Sequence, residues 1–270
     1  MKNKMMCLAA VVATLGMAGT AHAAIEFNQD VTPDVIFGSG NANGSFTTDR
    51  DNGVELGLRG KLRHNAAGQP ENTFNSNGDG TYSFAAGVAP TQSSPTAVWS
   101  FEWSINTDFD GSSGLNLDDL TYTLGLDMDP SQGTNFFTFD PINDANPATG
   151  FTVQWDHAIG DNSTGNGGGA SIANNTSNTA LYAQRIADNN VAQNSWKPHW
   201  FIAGFDPTLD ATYDFYLAAF DSLGNQLART NIQIIVGAGG AVVPLPGAAG
   251  LGLLGLGLVG YMRRRKSVQA

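Results

Sequence analysis

The sequence predicts an all-β fold, a single antiparallel β-sandwich that is jelly-roll-like in kind. Several stretches alternate apolar and polar residues with a period of two, the pattern of strands with one buried face. Glycine- and asparagine-rich turns separate these stretches, and almost no helix is expected between the two ends of the chain. With 41% hydrophobic and 10% aromatic residues, the chain is apolar enough to fold.

The first clear strand is predicted at Val54–Arg63, after a short first strand considered at Asp34–Phe37. Apolar and charged residues alternate along it, which indicates a half-buried strand with its charges on the opposite face. The charged residues are Glu55, Arg59, Lys61 and Arg63. A turn at 75–80 then leads into a strand at Thr81–Phe84.

Two aromatic-rich strands follow at Trp99–Ile105 and Leu120–Met128. In each, the large apolar side chains share one face of the strand. The polar loop Asn106–Asp119 lies between them, and we expect the two strands to pair antiparallel across it. Further strands are predicted at Asn135–Phe139 and Phe151–Asp156.

The last third of the folded unit combines a helix and a hairpin. Thr179–Asn190 has apolar residues at near-helical spacing and is the one helix predicted there. Tyr213–Ala219 and Ala228–Val236 flank a five-residue turn that contains glycine, which is typical of a β-hairpin. The sandwich is predicted to span 24–237, followed by a flexible linker at 238–242.

The N-terminal 23 residues predict a secretory signal peptide. Two lysines precede an apolar run, and Ala21-His22-Ala23 has the small-x-small pattern that signal peptidase cleaves. Signal peptidase is therefore an expected partner. The alternative is an uncleaved anchor, for which the apolar run is short. Cys7 is the only cysteine, so the exported part has no disulfide.

The exported part is strongly acidic. Two cations lie in the signal segment and four in a C-terminal cluster, which leaves seven of the 13 Lys and Arg against 24 Asp and Glu, a formal charge of −17. Such a surface repels nucleic acid and anionic lipid, so no nucleic-acid partner is expected. It favours solubility, and we interpret it as a solvated acidic surface typical of secreted proteins, with attraction of divalent cations as the alternative.

No catalytic motif is recognisable in the exported part, and we predict no enzyme. His64, His157 and His199 stand in no nucleophile-elbow or zinc-protease pattern. We expect His157 in the core, because it continues an alternating apolar face. Scattered histidines without cysteine do not form the ligand pattern of a zinc site. Acidic pairs in sequence do not establish the carboxylate separation of a glycosidase.

The densest cluster of oxygen ligands lies in the loop before the strand at Leu120. Calcium takes about six to eight oxygens from carboxylates, amides and carbonyls, so a calcium site is one hypothesis for this loop. The candidate ligands are Asp108, Asp110, Ser112, Asn116 and Asp119. The glycine and glutamate spacing of an EF-hand is missing. The alternative is an acidic loop folded by Asx turns.

Three tryptophans are candidates for stacking on sugars: Trp155, Trp196 and Trp200. A glycan platform needs its rings coplanar and exposed to solvent, with polar neighbours. β-sandwiches commonly serve as carbohydrate-binding modules. Such a module, in a form that depends on calcium if the acidic loop binds it, is the alternative function.

The C-terminal segment predicts a membrane helix at about 245–262. No charge occurs from Val242 to Met262, and a helix of about 21 residues is about 30 Å long, the thickness of the bilayer core. The cations that follow stay cytoplasmic by the positive-inside bias. The two flanking groups are Val243, Pro244, Leu245 and Pro246 before the helix, and Arg263, Arg264, Arg265 and Lys266 after it.

In order and spacing, these three parts resemble the PEP-CTERM sorting tail of Gram-negative exoproteins. The resemblance covers 243–266, with Leu245 where most members have Glu. It implies that an exosortase recognises the Val-Pro-x-Pro box and cuts near it. Stretches such as Ser100–Asp108 and Leu217–Asp221 are also similar to a group of these exoproteins whose ectodomain has no assigned activity.

We therefore expect an exported structural protein, anchored in the inner membrane in transit and then placed at the cell surface or in an extracellular matrix. Extracellular polysaccharide is an expected partner in that matrix. The alternative fate of the tail is a permanent single-span anchor without processing.

Overall fold

The computed structural model describes residues 24–143, 157–171 and 179–241. Most of its regular structure is β. The strands are β1 (Glu26–Gln29), β2 (Phe46–Asp51), β3 (Val54–Leu62), β4 (Thr81–Phe84), β5 (Trp99–Asn106), β6 (Thr121–Asp127), β7 (Phe136–Phe139), β8 (Ala158–Gly160), β9 (Ala170–Ser171), β10 (Val191–Trp196), β11 (Ala211–Phe220) and β12 (Gln226–Val236). One α-helix, α1, spans Thr179–Asp188, and short 3-10 turns lie at Leu117–Asp119 and Pro198–Trp200.

The strands form two sheets, which confirms the all-β prediction. Seven strands in the order β1-β2-β3-β5-β10-β8-β9 make an antiparallel sheet. Five strands in the order β4-β12-β11-β6-β7 make a mixed sheet, because β4 runs parallel to β12. The prediction of a wholly antiparallel sandwich is wrong at this pair. A loop brings β4 from the other sheet, so no hairpin fixes its direction. The jelly-roll connectivity stays a prediction.

The two sheets pack face to face on an aromatic core. The ring of Phe101 on β5 lies 4.9 Å from the ring of Phe215 on β11, measured between centroids. Trp99 lies 6.3 Å from the same Phe215 ring. Separations of about 4.5 to 7 Å are those at which aromatic rings attract one another. The aromatic faces recognised in the sequence therefore meet across the interior of the sandwich.

Strands β5 and β6 do not pair with each other, so the expected antiparallel pair is wrong. β5 lies between β3 and β10, whereas β6 lies between β11 and β7 in the other sheet. The loop 107–120 carries the chain from one sheet to the other, a step of about 10 Å. Each of the two strands has one apolar face. Alternation alone does not show whether two such strands are hydrogen-bonded neighbours in one sheet or lie in two sheets that face each other across the core.

Strand β3 is buried on both faces, so the prediction of a half-buried strand is also wrong. Its residues Glu55, Arg59 and Lys61 lie in the interior. Residues 30–44, which we call the cover segment, lie over them. The Thr32 backbone N–H donates to Glu55 Oε1 at 2.7 Å, for example. Asp34–Phe37, considered as a strand, is irregular chain within this segment.

The local predictions agree with the structure. β11 and β12 form the predicted hairpin, and α1 lies where a helix was expected, with Tyr182 and Ile186 buried. β4 and β7 also lie within the predicted segments. The expected signal peptide (1–23), the strand at 151–156 and the tail at 243–266 lie outside the described residues. In the described part of the chain, no helix is both long and apolar enough to cross a membrane.

The position of Phe215 between the sheets gives a testable prediction. Phe215→Ala should lower the free energy of unfolding by about 3–5 kcal/mol, because it removes ring contacts from a closed core. Leu223→Ala, at a side chain that is 85% exposed in the β11–β12 turn, is the matched control and should change it by about 0.5 kcal/mol at most. Urea unfolding followed by tryptophan fluorescence measures both. Equal losses in the two variants would contradict the core position of Phe215.

Candidate functional site

The first candidate site is the point where the chain leaves the sandwich. Residues 237–241 follow β12 and are hydrogen-bonded to β11 and to a neighbouring loop. The Gly240 N–H donates to Thr212 Oγ1 at 2.9 Å, and the Gln132 N–H donates to the Ala241 carbonyl at 2.9 Å. The flexible linker expected here is therefore attached to the sandwich as far as Ala241.

Close packing explains why glycine stands at position 240. A Cβ atom on Gly240 would lie only 2.3 Å from the Pro130 carbonyl oxygen and 2.7 Å from the Ser131 carbonyl carbon. Any other residue would force this loop away from the exit. The glycine-rich composition, which suggested a flexible linker, here permits a tight contact.

A pocket of about 400 Å³ opens beside the exit. Its lining residues are Gln132, Thr212, Gln233, Ile235, Ala238 and Gly239. They offer amide and hydroxyl groups for hydrogen bonding, but no carboxylate, imidazole, amine or thiol. The lining itself therefore contains no side chain with the acid–base chemistry to activate the Thr212 hydroxyl.

The proposed calcium ligands Asp108 and Asp110 fold their own loop. Asp108 Oδ1 accepts hydrogen bonds from the N–H groups of Ser113 at 2.8 Å and Gly114 at 3.1 Å. Asp110 Oδ1 accepts one from the Ser112 N–H at 3.0 Å, and hydrogen bonds from Ser112 lower the pKa of this carboxyl. This is the arrangement of the alternative hypothesis, a loop built on Asx turns.

Two further ligand candidates, Asn116 and Asp119, cap the 3-10 turn that follows. Asp119 Oδ2 accepts the Asn116 N–H at 2.8 Å, and Asn116 Nδ2 donates to the Ala187 carbonyl at 2.7 Å. Within 24–143, 157–171 and 179–241, no three His, Cys, Asp or Glu side chains are grouped so as to hold a metal. Calcium binding stays a prediction.

The three tryptophans proposed for glycan binding differ in exposure. Trp196 is 1% exposed, with its ring 4.9 Å from Phe201 and 5.1 Å from Trp103, so the idea that it faces solvent is wrong. It ends β10 on the side that faces the core. Trp200 is 49% exposed, with Lys197 Nζ 5.8 Å from its ring centroid. Trp155 lies outside the described residues.

The described histidines differ in their surroundings. His157 is buried, as predicted, with its Nε2 3.0 Å from the Tyr182 hydroxyl and its ring 5.4 Å from Trp103. It is a core histidine. Burial lowers the pKa of both His64 and His199, and the charge of Lys197 lowers each further.

Sequence reasoning missed a cluster of buried charges beneath the cover segment. Arg59 Nε and Nη2 both contact Glu102 Oε2, at 2.6 and 2.5 Å, and Lys61 Nζ lies 3.5 Å from Glu102 Oε1. The Arg59 guanidinium also lies between the rings of Phe46 and Phe74, at 4.1 and 3.8 Å from their centroids. Burial lowers the pKa of Arg59 and of Lys61.

One sequence signal pointed to this cluster. β3 and β5 each alternate, and their polar faces carry opposite charges, Arg59 and Lys61 on β3 and Glu102 on β5. Arg59 and Glu102 are directly opposite in the antiparallel register. Opposite charges on neighbouring strands indicate a cross-strand ion pair. The alternation did not show that the cover segment lies over the charged face of β3 and β5.

Comparison with known proteins finds a match at the C-terminal segment. No curated protein and no solved structure matches the chain. A family model described as the PEP-CTERM protein-sorting motif matches residues 242–266. The motif implies processing by an exosortase, export and membrane-anchored transit. The match begins directly after Ala241, the residue whose carbonyl is bonded to the sandwich, and the resemblance seen in the sequence is confirmed: residues 242–266 are a PEP-CTERM protein-sorting motif.

Proposed function

We propose that this protein is a structural component of the cell surface or extracellular matrix, cleaved by an exosortase near Val243–Pro246 after export. The observation that carries the proposal is the match of a sorting motif to the segment directly after a folded β-sandwich. The sandwich is then the exported domain, and the tail is the sorting signal that an exosortase recognises at the membrane.

The attached exit sets where the cleavage machinery must work. The box begins two residues after Ala241, whose carbonyl accepts a hydrogen bond from the Gln132 N–H. An exosortase that reads this box therefore works close to the end of the sandwich that carries Gln132 and Thr212. The two prolines at 244 and 246 disfavour helix and favour an extended box.

We propose a structural role without catalysis for the sandwich itself. The pocket at the exit has no titratable lining, and the Asp108 loop uses its carboxylates to hold its own backbone. The formal charge of −17 favours a soluble, well-hydrated protein among extracellular polysaccharides.

A carbohydrate-binding module is the second candidate function. The exposed ring of Trp200, next to Lys197, is the observation that favours it. Trp196 is buried and contributes no second surface, so binding would depend on Trp200 and its surroundings. A form that depends on calcium would use the loop at 108–119.

Mass spectrometry of the mature protein tests processing of the tail. In a host that carries an exosortase, we expect the protein to end near the box. The double variant Pro244→Ala, Pro246→Ala should keep the chain to Ala270, because the box loses the residues that hold it extended. Pro70→Ala, at an exposed proline of the sandwich, is the control and should be processed normally. An unmodified protein that still ends at Ala270 would contradict the proposal.

A glycan array tests the second candidate. If the protein binds sugars through Trp200, Trp200→Ala should weaken binding about tenfold or more, because burying an aromatic ring contributes about 2 kcal/mol. Leu223→Ala removes another exposed apolar side chain and should leave binding unchanged. No binding by the unmodified protein, or equal binding by both variants, would exclude this surface.

Thermal unfolding with and without calcium tests the metal hypothesis. A ligand that binds only the folded state raises Tm, so millimolar calcium should raise it in the unmodified protein. Asp108→Ala combined with Asp110→Ala should remove that rise. Because Asp108 also holds its loop, the variant must be compared with itself in the absence of calcium. A Tm that does not respond to calcium in the unmodified protein would end the hypothesis.

A further inference from the structure

An amine, an amide and a carboxylate meet beneath the cover segment. Lys61 Nζ donates a hydrogen bond to Asn41 Oδ1 and lies 3.5 Å from Glu102 Oε1. Lys61 is 1% exposed and Glu102 is 0% exposed. The three groups come from different parts of the chain: the cover segment, β3 and β5. Their meeting is therefore a product of the tertiary fold.

The Asn41 side chain is held in one orientation. Its Nδ2 donates to the Phe37 carbonyl at 2.8 Å and to the Gly38 carbonyl at 3.1 Å. Its backbone carbonyl accepts a hydrogen bond from Asn166 Nδ2 at 2.7 Å. The amide carbonyl is thus directed at the lysine, and the carbon that a nucleophile would attack is one bond from the oxygen already in contact.

The two oxygens of the Glu102 carboxylate face different side chains. Oε2 takes both contacts from Arg59, at 2.5 and 2.6 Å. Oε1 makes no hydrogen bond and is the oxygen that faces Lys61 Nζ. A buried carboxylate oxygen beside an amine is placed to take a proton from it and to pass that proton on.

The surroundings also favour the uncharged amine. Burial lowers the pKa of Lys61, and the positive charges of Arg59 and Arg63 lower it further, against the opposing effect of Glu102. The neutral amine is the form of lysine that acts as a nucleophile.

We propose that Lys61 and Asn41 join in an intramolecular isopeptide bond. The Nζ–Cγ bond forms and the Cγ–Nδ2 bond breaks. Glu102 takes a proton from Nζ and delivers it to Nδ2, which leaves as ammonia. The carbonyl stays a carbonyl and nothing is oxidised or reduced, so no cofactor takes part.

The bond would fasten the cover segment to β3. Twenty positions separate Asn41 from Lys61, so the cross-link closes a loop that the unfolded chain would otherwise leave open. Closing such a loop restricts the unfolded state, as a disulfide does. The exported part has no cysteine, and this bond would supply a covalent link of the kind that disulfides give to other exported proteins.

Mass spectrometry of the purified full-length or processed protein tests the proposal. We expect an intact mass below that of the sequence by one ammonia. After trypsin, the peptide that ends at Arg50 should be joined to Gly60–Arg63, with Lys61 uncleaved. A succinimide at Asn41 would also lose ammonia, but it would leave Lys61 cleaved and the peptides separate. That result, or the full sequence mass, would overturn the proposal.

Variants identify the role of each group. Lys61→Arg and Asn41→Ala should each restore the missing ammonia and abolish the linked peptide. Glu102→Gln keeps the amine and the amide but removes the proton acceptor, and should also abolish the link. Lys197→Arg, a lysine away from Asn41, is the control and should keep it. A link that persists in Glu102→Gln would overturn the role of Glu102. Should that variant not fold, the peptide map of the unmodified protein still decides whether the bond exists.

Discussion

The buried ion pair of Arg59 and Glu102 determines how the seven-stranded sheet is covered. Taking such charges out of water costs several kcal/mol per ion, which only good partners offset. Glu102 supplies one partner, and Arg59 Nη1 finds others in the Ala42 and Gly44 carbonyls, at 3.1 and 2.5 Å. The cover segment therefore has to lie over β3 and β5. Removing one charge of such a pair costs about 3–5 kcal/mol, because the other stays buried alone.

This constraint makes β3 and β5 the centre of the molecule. One face of each packs on the aromatic core, and the other carries the charges beneath the cover segment. β10 joins the same arrangement through Gln193, whose Oε1 accepts the Ile36 N–H at 2.8 Å and whose Nε2 donates to the Asp34 carbonyl at 2.9 Å. Polar groups of three neighbouring strands thus hold a segment that has no sheet pairing of its own.

The sequence predicted the strands and the hairpin, because these depend on residues that are close together in the chain. Alternation located β3, β5 and β6, and a short turn between regular strands located the β11–β12 hairpin. Pairing between distant strands left no such signal, so β5 and β6 were wrongly paired. The cover segment is irregular and could not be placed over β3, and Trp196 could not be recognised as buried before β10 was known to lie beside β5. The sorting motif was recognised because its order and spacing are contained in one continuous stretch.

Residues 237–241 are hydrogen-bonded to the sandwich, but the sorting motif that follows them has to be accessible to an enzyme. These contacts hold the chain to the sandwich as far as Ala241, whereas an enzyme needs access to the backbone that it cuts. The two demands are compatible because the attachment is local. A hydrogen bond contributes only about 0.5–1.5 kcal/mol net, so releasing the Gly240–Thr212 and Gln132–Ala241 bonds costs little beside unfolding of the domain. Release of these two contacts would free Gly240 and Ala241, while the Ala238 N–H stays bonded to Asp210 Oδ1 and the core and the cover segment stay intact.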